Sequence, residues 1–485
     1  MSACGLRPPI KIQVQGGTVK KVINILRSWG LKLSVPLLLV LLCILTVSTI
    51  IAISWSNVTV EGGFELAGLT DEARHEEADV SEYLLPSFIG VTLDGERRGI
   101  SASANIVSDL YELLCPTLHT ALTSVVPLPD TVWNGYTSAE TSVYIKYHSE
   151  LPDAIIALFA GGEPEGELTF LGGIRELFYL PSTENGAILV TRSSAGDIRR
   201  YIIPSRKTTI GTEELERFVR SYGSSMPEFI FNEDRYDALS WSEPIFTEAL
   251  QTRSLIMTER TCALIQNSIA SRDSVLRLLG INPDKLLGIH EETDGTGSYS
   301  DTHGILYLRD SSFIYTSSSS ENGQSVRELT GSPPSEEGLM WDYVQAALIL
   351  YESIERIDDI YTGGEAELLL RSVSSSDGEV TLCFMYAVGN IPIADECEAY
   401  TVTFRDGRIE SVRLHTIAVR ILAERDISYT EWWFASRLDR TARDVRLVYR
   451  SDYVSEAVSA EWSAELSMEQ AEEAVSESLE GEDGE

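Results

Sequence analysis

Residues 34–54, SVPLLLVLLCILTVSTIIAIS, carry no charged side chain, and no other stretch limits the fold so strongly. At about 1.5 Å of rise per residue, a helix of this length spans roughly 30 Å, the thickness of a bilayer's hydrocarbon core. A helix on a soluble core keeps a polar face, and this run has none, so it is expected to cross a membrane. Pro36 is compatible with that reading, because backbone N–H groups in a first turn have no partner within the helix.

The flanks set the orientation. Arg7, Lys11, Lys20, Lys21, Arg27 and Lys32 precede the run with no acid among them, whereas the first charges after it are Glu61, Glu65, Asp71 and Glu72. Cytoplasmic flanks retain Lys and Arg, which places the N-terminus inside and the bulk of the chain outside. Two fates of the span stay open. Ala52-Ile53-Ser54 fits a signal-peptide cleavage site, after which a soluble protein would begin at Trp55. Against cleavage, the run is longer than a signal peptide's apolar core and favours an uncleaved signal anchor.

The 485-residue chain has a net charge of −36, unevenly distributed. With six cations and no acids in the first 54 residues, 32 basic face 74 acidic residues beyond them, a net charge near −42. Such a field repels phosphate backbones, so nucleic acid is excluded as a partner. Cysteine is sparse for an extracytoplasmic chain: Cys4 and Cys43 lie before or within the span, and Cys115, Cys262, Cys383 and Cys397 lie after it. This is not a disulfide scaffold. Cys383 and Cys397 are equidistant from Asn390 and would face each other across a hairpin turning there; two separate buried thiols are the other reading.

The expected architecture is α+β: a single N-terminal transmembrane helix, then antiparallel sheets packed by helices, with two similar helix-plus-meander units in the C-terminal half. In order, residues 1–33 form a basic cytoplasmic segment, 34–54 the span, and 55–98 an acidic stalk. An N-terminal α+β domain follows at 99–205, a middle one at 206–330, a C-terminal one at 331–455 and an acidic tail at 456–485. Within the first domain Ile106, Leu110, Leu114 and Leu118 recur at helical spacing, with Pro116 as a kink or break. Val143, Ile145 and Tyr147 alternate with Tyr144 and Lys146, IIALF at 155–159 reads as a strand, and Asn185-Gly186 marks a hairpin. A helix is expected at 212–222, capped by Thr212 and stopped at Gly223. The first similar unit joins a helix at 274–280 to a meander turning at Asp294-Gly295. The second joins a helix at 336–357 to strands turning at Gly389-Asn390-Ile391 and Asp406-Gly407.

These two units resemble the YycH and YycI regulators of two-component systems. The likeness rests on Asn282-Pro283, Asp294-Gly295-Thr296 and Tyr315 in the first unit. In the second it rests on Phe384, Tyr386, Ile391-Pro392-Ile393, Gly407 and Ile409, with VRLVYR at 445–450 and Trp462 closing the pattern. Asn390 stands where the family commonly has Gly. The resemblance covers roughly residues 270–465 together with the membrane topology. It implies an accessory regulator of a sensor histidine kinase, contacting the kinase's extracellular domain and transmembrane helix, or a sister regulator, without phosphoryl chemistry of its own.

No constellation for catalysis is legible. His75, His119, His148, His290, His303 and His415 are scattered without paired ligand spacing, and no Walker A loop, G-x-S-x-G elbow or dinucleotide fingerprint occurs. No cofactor, metal, nucleotide or catalytic residue is therefore expected. Glu292-Thr293-Asp294-Gly295-Thr296 approaches the D-x-D-G-T motif of haloacid-dehalogenase-type phosphatases, but a Glu in the nucleophile's place misplaces the attacking oxygen by about an ångström. Glu431-Trp432-Trp433-Phe434 reads as a core plug or as a partner patch. The candidate partner-binding residues are Thr46 and Ser48, hydroxyls among bulky residues of the span that can hydrogen-bond a second helix. Each can also bond its own backbone, which leaves a lipid-facing tether open. The rival classes are an anchored envelope enzyme or its inhibitor, and a scaffold or binding protein.

Overall fold

The structure is a computed structural model that describes residues 83–465, except 102, 131, 162–171, 184–185, 205–209, 232–243, 260–267, 293–295, 310, 320–321, 331–339, 358–362, 395–398, 428–442 and 451–456. The apolar run with Thr46 and Ser48, the 431–434 cluster, the tail beyond 465, Cys262, Cys397 and Asp294-Gly295 lie outside the described residues.

Strands β1 (Phe88–Leu93), β2 (Glu96–Ile100), β3 (Leu128–Asp130), β4 (Ser142–Pro152), β5 (Gly173–Thr183), β6 (Gly186–Arg192) and β7 (Ile198–Ile203) form one antiparallel sheet, ordered β2-β1-β4-β5-β6-β7-β3. β1 and the start of β2 fall within 55–98, the stretch expected to be stalk. Asp94 and Gly95, at φ 51° and 81°, make the two-residue turn that pairs them, a signal hidden among the surrounding acids. Helix α1 (Ala104–Ser124) runs through Pro116 and buries Val107, Leu110, Tyr111, Leu114 and Leu118. A single helical turn, α2 (Asn134–Thr137), precedes β4.

IIALF is not a strand. It lies in helix α3 (Asp153–Gly161), where Asp153 Oδ1 accepts the Ala154 N–H and almost every side chain is buried. An apolar run this short fits a buried helix as well as a strand, and packing against α1 decides. Gly161 is needed there, since a Cβ would meet the His119 ring at 2.2 Å, and His119 bonds through Nδ1 to the Ala157 carbonyl. Helix α4 (Thr212–Tyr222) forms as expected, but Gly211 is its cap and Thr212 its first residue. The Glu214 carboxylate accepts the Gly211 N–H, and Gly223 carries the chain into a further 3-10 turn instead of stopping it.

The aromatic ribbon β8 (Phe229–Phe231) and β9 (Pro244–Phe246) leads to β10 (Leu250–Glu259). Helix α5 (Ile269–Leu278) starts at Ser268, whose Oγ accepts the Ser271 N–H, and ends at Gly280 with φ 83°, where the Ile281 N–H reaches back to Leu276. Its meander is β11 (Gly288–Glu291), β12 (Gly297–Ser300), β13 (Gly304–Arg309) and β14 (Ser312–Ser317). The short α6 (Val326–Thr330) and α7 (Met340–Glu355) come next. They are followed by β15 (Gly363–Gly364), β16 (Glu367–Ser376), β17 (Glu379–Val388), β18 (Ile391–Ala394), β19 (Tyr400–Arg405), β20 (Arg408–His415), β21 (Ile417–Ile427), β22 (Arg443–Arg450) and β23 (Val458–Glu465).

The two similar units meet last strand to last strand, β14 antiparallel to β20, so their meanders form one continuous sheet. Tyr299, Leu306, Tyr315, Val412, Val402 and Leu382 stand opposite one another along successive strands and hence on one face. Both helices cover that face. Arg272 of α5 lies 5.5 Å from the Tyr299 ring centroid, while Tyr343 and Tyr351 of α7 pack on Phe404 and Tyr400 at 5.3 and 5.4 Å. Cys383 is a buried thiol in β17, opposite Ser372 and Thr401 on its two neighbours.

Candidate functional site

The site develops where the two sheets join, at the turn between β17 and β18. Gly389 and Asn390 have φ 56° and 68°, so both central residues of this two-residue turn are left-handed, the geometry that twists in the same sense as the strands it connects. Asn tolerates that region better than most side chains, and here its amide is also used. Asn390 is 1% exposed and inserts against the first sheet. Its Nδ2 donates to the carbonyls of Pro86 at 2.6 Å and Ser101 at 3.3 Å, and its Oδ1 lies 3.2 Å from His148 Nε2. With the amide held by two carbonyls, Oδ1 must accept, so His148 carries its proton on Nε2.

His148 and Lys146 stand two apart on β4, on the face opposite Tyr147, whose hydroxyl meets that of Tyr111 in α1 at 3.2 Å. A Lys alternating with apolar residues reads as solvated, yet Lys146 is 3% exposed and His148 5%. The second face of the sheet is covered as well. Phe88 packs on Tyr144, Phe229 and Phe246 at 5.7, 5.1 and 5.3 Å, Tyr144 meets Phe231 edge-on at 5.4 Å, and Trp462 of β23 lies 6.4 Å from Phe246. Gly90 and Gly99, paired across β1 and β2, leave the room: a Cβ at Gly90 would approach the Phe229 ring at 2.7 Å, and one at Gly99 the Phe88 ring at 2.6 Å.

Beyond the Asn390 turn the sheets frame a partly open pocket of about 30 Å³, lined by Ser101, Lys146, His148, Asn390, Arg446, Trp462 and apolar neighbours. Arg446 of β22 donates to the His148 carbonyl at 3.4 Å, and Ser149 donates to the carbonyl of Arg371. On the other side of the turn lies an open cleft of about 630 Å³, between the start of α1 and the start of β10. Glu248, Glu367 and Glu424 outnumber Arg253 on its walls. Glu367 accepts the Asn390 N–H at 3.3 Å, and Glu424 accepts from Gln251 at 3.0 Å. A polar, acidic cleft of this kind suits neutral or cationic groups rather than phosphates.

Among the described residues no group of three His, Cys, Asp or Glu side chains is arranged to hold a metal ion. His290 contacts Glu292 at 3.1 Å on the surface, His303 contacts the Asp301 carboxylate at 3.3 Å, and His415 lies 3.2 Å from Ser311 Oγ. Glu292, at the phosphatase-like stretch, donates its N–H to the Thr296 carbonyl at 2.9 Å, a turn contact. Sequence reasoning placed Asn390 in a hairpin turn and noted its departure from the family pattern, but gave its side chain no role. It nominated neither Lys146 nor Arg446.

The described residues thus form an α+β protein of two large, mainly antiparallel sheets and a two-stranded ribbon, with the large sheets joined at the Asn390 hairpin tip and by the Arg446–His148 and Ser149–Arg371 bonds. No protein-family model and no curated protein sequence matches the chain. Among solved structures, YycH from Bacillus subtilis matches with a TM-score of 0.52 at 11% identity, over 81% of this chain and 96% of that one. The fold is YycH-like.

Proposed function

We propose that this chain is a single-pass membrane protein whose extracytoplasmic sheets modulate a two-component sensor histidine kinase by protein contact, alone or with a sister regulator. The observation that carries the reading is the YycH-like fold, which extends over nearly the whole of YycH and includes a first sheet where the sequence resemblance had little to offer. The charge asymmetry about residues 34–54 supports an inside N-terminus, and the acidic, phosphate-averse surface fits a protein partner. The activity is regulatory and not enzymatic, with the span contributing to the contact.

The test compares kinase output in cells with the chain deleted and restored, and asks whether a sensor kinase co-purifies from cross-linked membranes. Changed output with recovery of the kinase is expected. Unchanged output, together with turnover of an envelope polymer that one polar substitution abolishes, would overturn the reading in favour of an anchored enzyme.

A further inference from the structure

Strand β11 stands at the end of the larger sheet and, among the described strands, pairs with β12 alone. Its outer edge is unguarded. Exposed edges are ordinarily blunted by Lys, Pro or a bulge, whereas residues 287–292 read Leu-Gly-Ile-His-Glu-Glu. The Glu292 N–H bonds the Thr296 carbonyl at 2.9 Å, and bonded pairs alternate along an antiparallel ladder, so the N–H and C=O groups of Ile289 and Glu291 turn away from β12.

The apolar row of the sheet runs out to this same edge. Ile289 stands opposite Tyr299, and the row from Tyr299 to Leu382 is fully buried. At β11 it is left bare. Ile289 is 59% exposed, with Leu287 just before the strand at 74% and Ile269 at the start of α5 at 66%. The acids beside them already have partners: Glu291 meets Arg272 at 3.3 Å and accepts from the Tyr299 hydroxyl at 2.7 Å, and Glu292 meets His290 at 3.1 Å.

We propose that β11 is a homodimer contact, at which a second copy of this chain adds its own β11 antiparallel to this one, centred on Ile289. Register selects that arrangement. Centring the pair on Glu291 sets two carboxylates opposite each other, and centring it on His290 sets Ile289 against a carboxylate. Centring it on Ile289 sets Ile289 against Ile289 of the second copy, joins the backbone groups that face outward, and keeps like charges from standing opposite one another. A two-fold contact is isologous, so one patch serves both copies, and the buried apolar rows become continuous across the axis. A single pair of short strands covers less area than a permanent interface, so the dimer depends on concentration. It tightens as salt is raised, because each copy carries a net charge of −36. This goes beyond the regulatory reading and does not depend on it.

The experiment uses the full chain in detergent micelles. Sedimentation should show a monomer–dimer equilibrium, and Ile289→Lys, a change at an exposed site that supplies the missing edge guard, should weaken it at least about tenfold with an unchanged thermal midpoint. Register is read by copper-catalysed oxidation, with the unaltered chain as the control for native thiols. Ile289→Cys should form a disulfide-linked dimer, since residues opposite one another on paired strands lie within disulfide reach. Leu287→Cys should not, because the two copies of that residue fall about 13 Å apart along the strands. A monomer at every concentration overturns the proposal. A dimer that Ile289→Lys leaves intact and Ile289→Cys does not link overturns it equally, by placing the contact in the span or elsewhere. Oxidation in membranes that links Ile289→Cys to a different protein and not to itself overturns it in favour of a foreign strand on this edge.

Discussion

Individual side chains in this molecule are constrained most where charge is buried. Glu176 and Arg192 face each other across β5 and β6, both side chains under 8% exposed, and the Arg192 guanidinium also lies 4.3 Å from the Trp133 ring centroid. Removing one partner leaves the other charge in a dry environment, so Glu176→Ala should lower unfolding stability by about 3–5 kcal/mol in denaturant titration, far more than an exposed pair would cost. Asp301 shows the complementary case. Burial acts to raise its pKa, but backbone N–H groups of Asn282, His303 and Gly304 outweigh that and hold it below its ordinary 3.8. A lowered folded value stabilises the protein above the unfolded pKa, and that contribution is lost as pH falls through the folded value. Stability should therefore decline below about pH 4 with a component that Asp301→Asn removes, while the same variant is less stable at neutral pH by about 1–3 kcal/mol. Equal acid sensitivity in both proteins would reject this role.

At the scale of elements, two turns carry unequal burdens. Asp94-Gly95 and Asp406-Gly407 reverse the chain and bond neighbouring segments through their backbones, Gly95 N–H to the Glu140 carbonyl and Val326 N–H to the Gly407 carbonyl, whereas Gly389-Asn390 joins the sheets through a side chain, since the Asn390 amide reaches three segments of the first one. Asn390→Gly restores the residue common in the family and suits the left-handed backbone, yet it strips His148 and two carbonyls of a buried partner. Urea unfolding should show a loss of about 1–3 kcal/mol. A neutral result would mean that the tip is held by its backbone alone. The β1–β2 ribbon makes a second prediction: Gly90→Ala forces a methyl toward the buried Phe229 ring and should cost about 1–3 kcal/mol by overpacking. Swapping the surroundings tests the cause, because Phe229→Leu should recover part of that loss in the double variant.

For the whole molecule the decisive experiment concerns the span. Replacing residues 34–54 with an unrelated apolar segment of equal length should reduce kinase output and co-purification if Thr46 and Ser48 meet a partner helix, and substituting either residue should reproduce part of the loss. On the proposed topology, unchanged output would leave the sheets beyond the span as the contact. The larger architecture was legible in the sequence because its signals are local. Helices α1 and α7 repeat apolar residues at helical period, and Asp406-Gly407 announces its hairpin through a backbone that few other residue pairs adopt. These features alone determined the α+β class, most strands after residue 127 and the order of the two similar units. What tertiary structure decided depends on contacts distant in sequence. IIALF became a helix because α1 offered a surface for it, and the two meanders became one sheet because β14 found β20 across about a hundred residues. Lys146 and His148 became interior groups because β8, β9 and the Asn390 turn close over a sheet face that alternation alone marks as solvated. A local pattern states which face of an element is apolar; only the completed fold states what covers the other face, and that is where the polar junction of this protein lies.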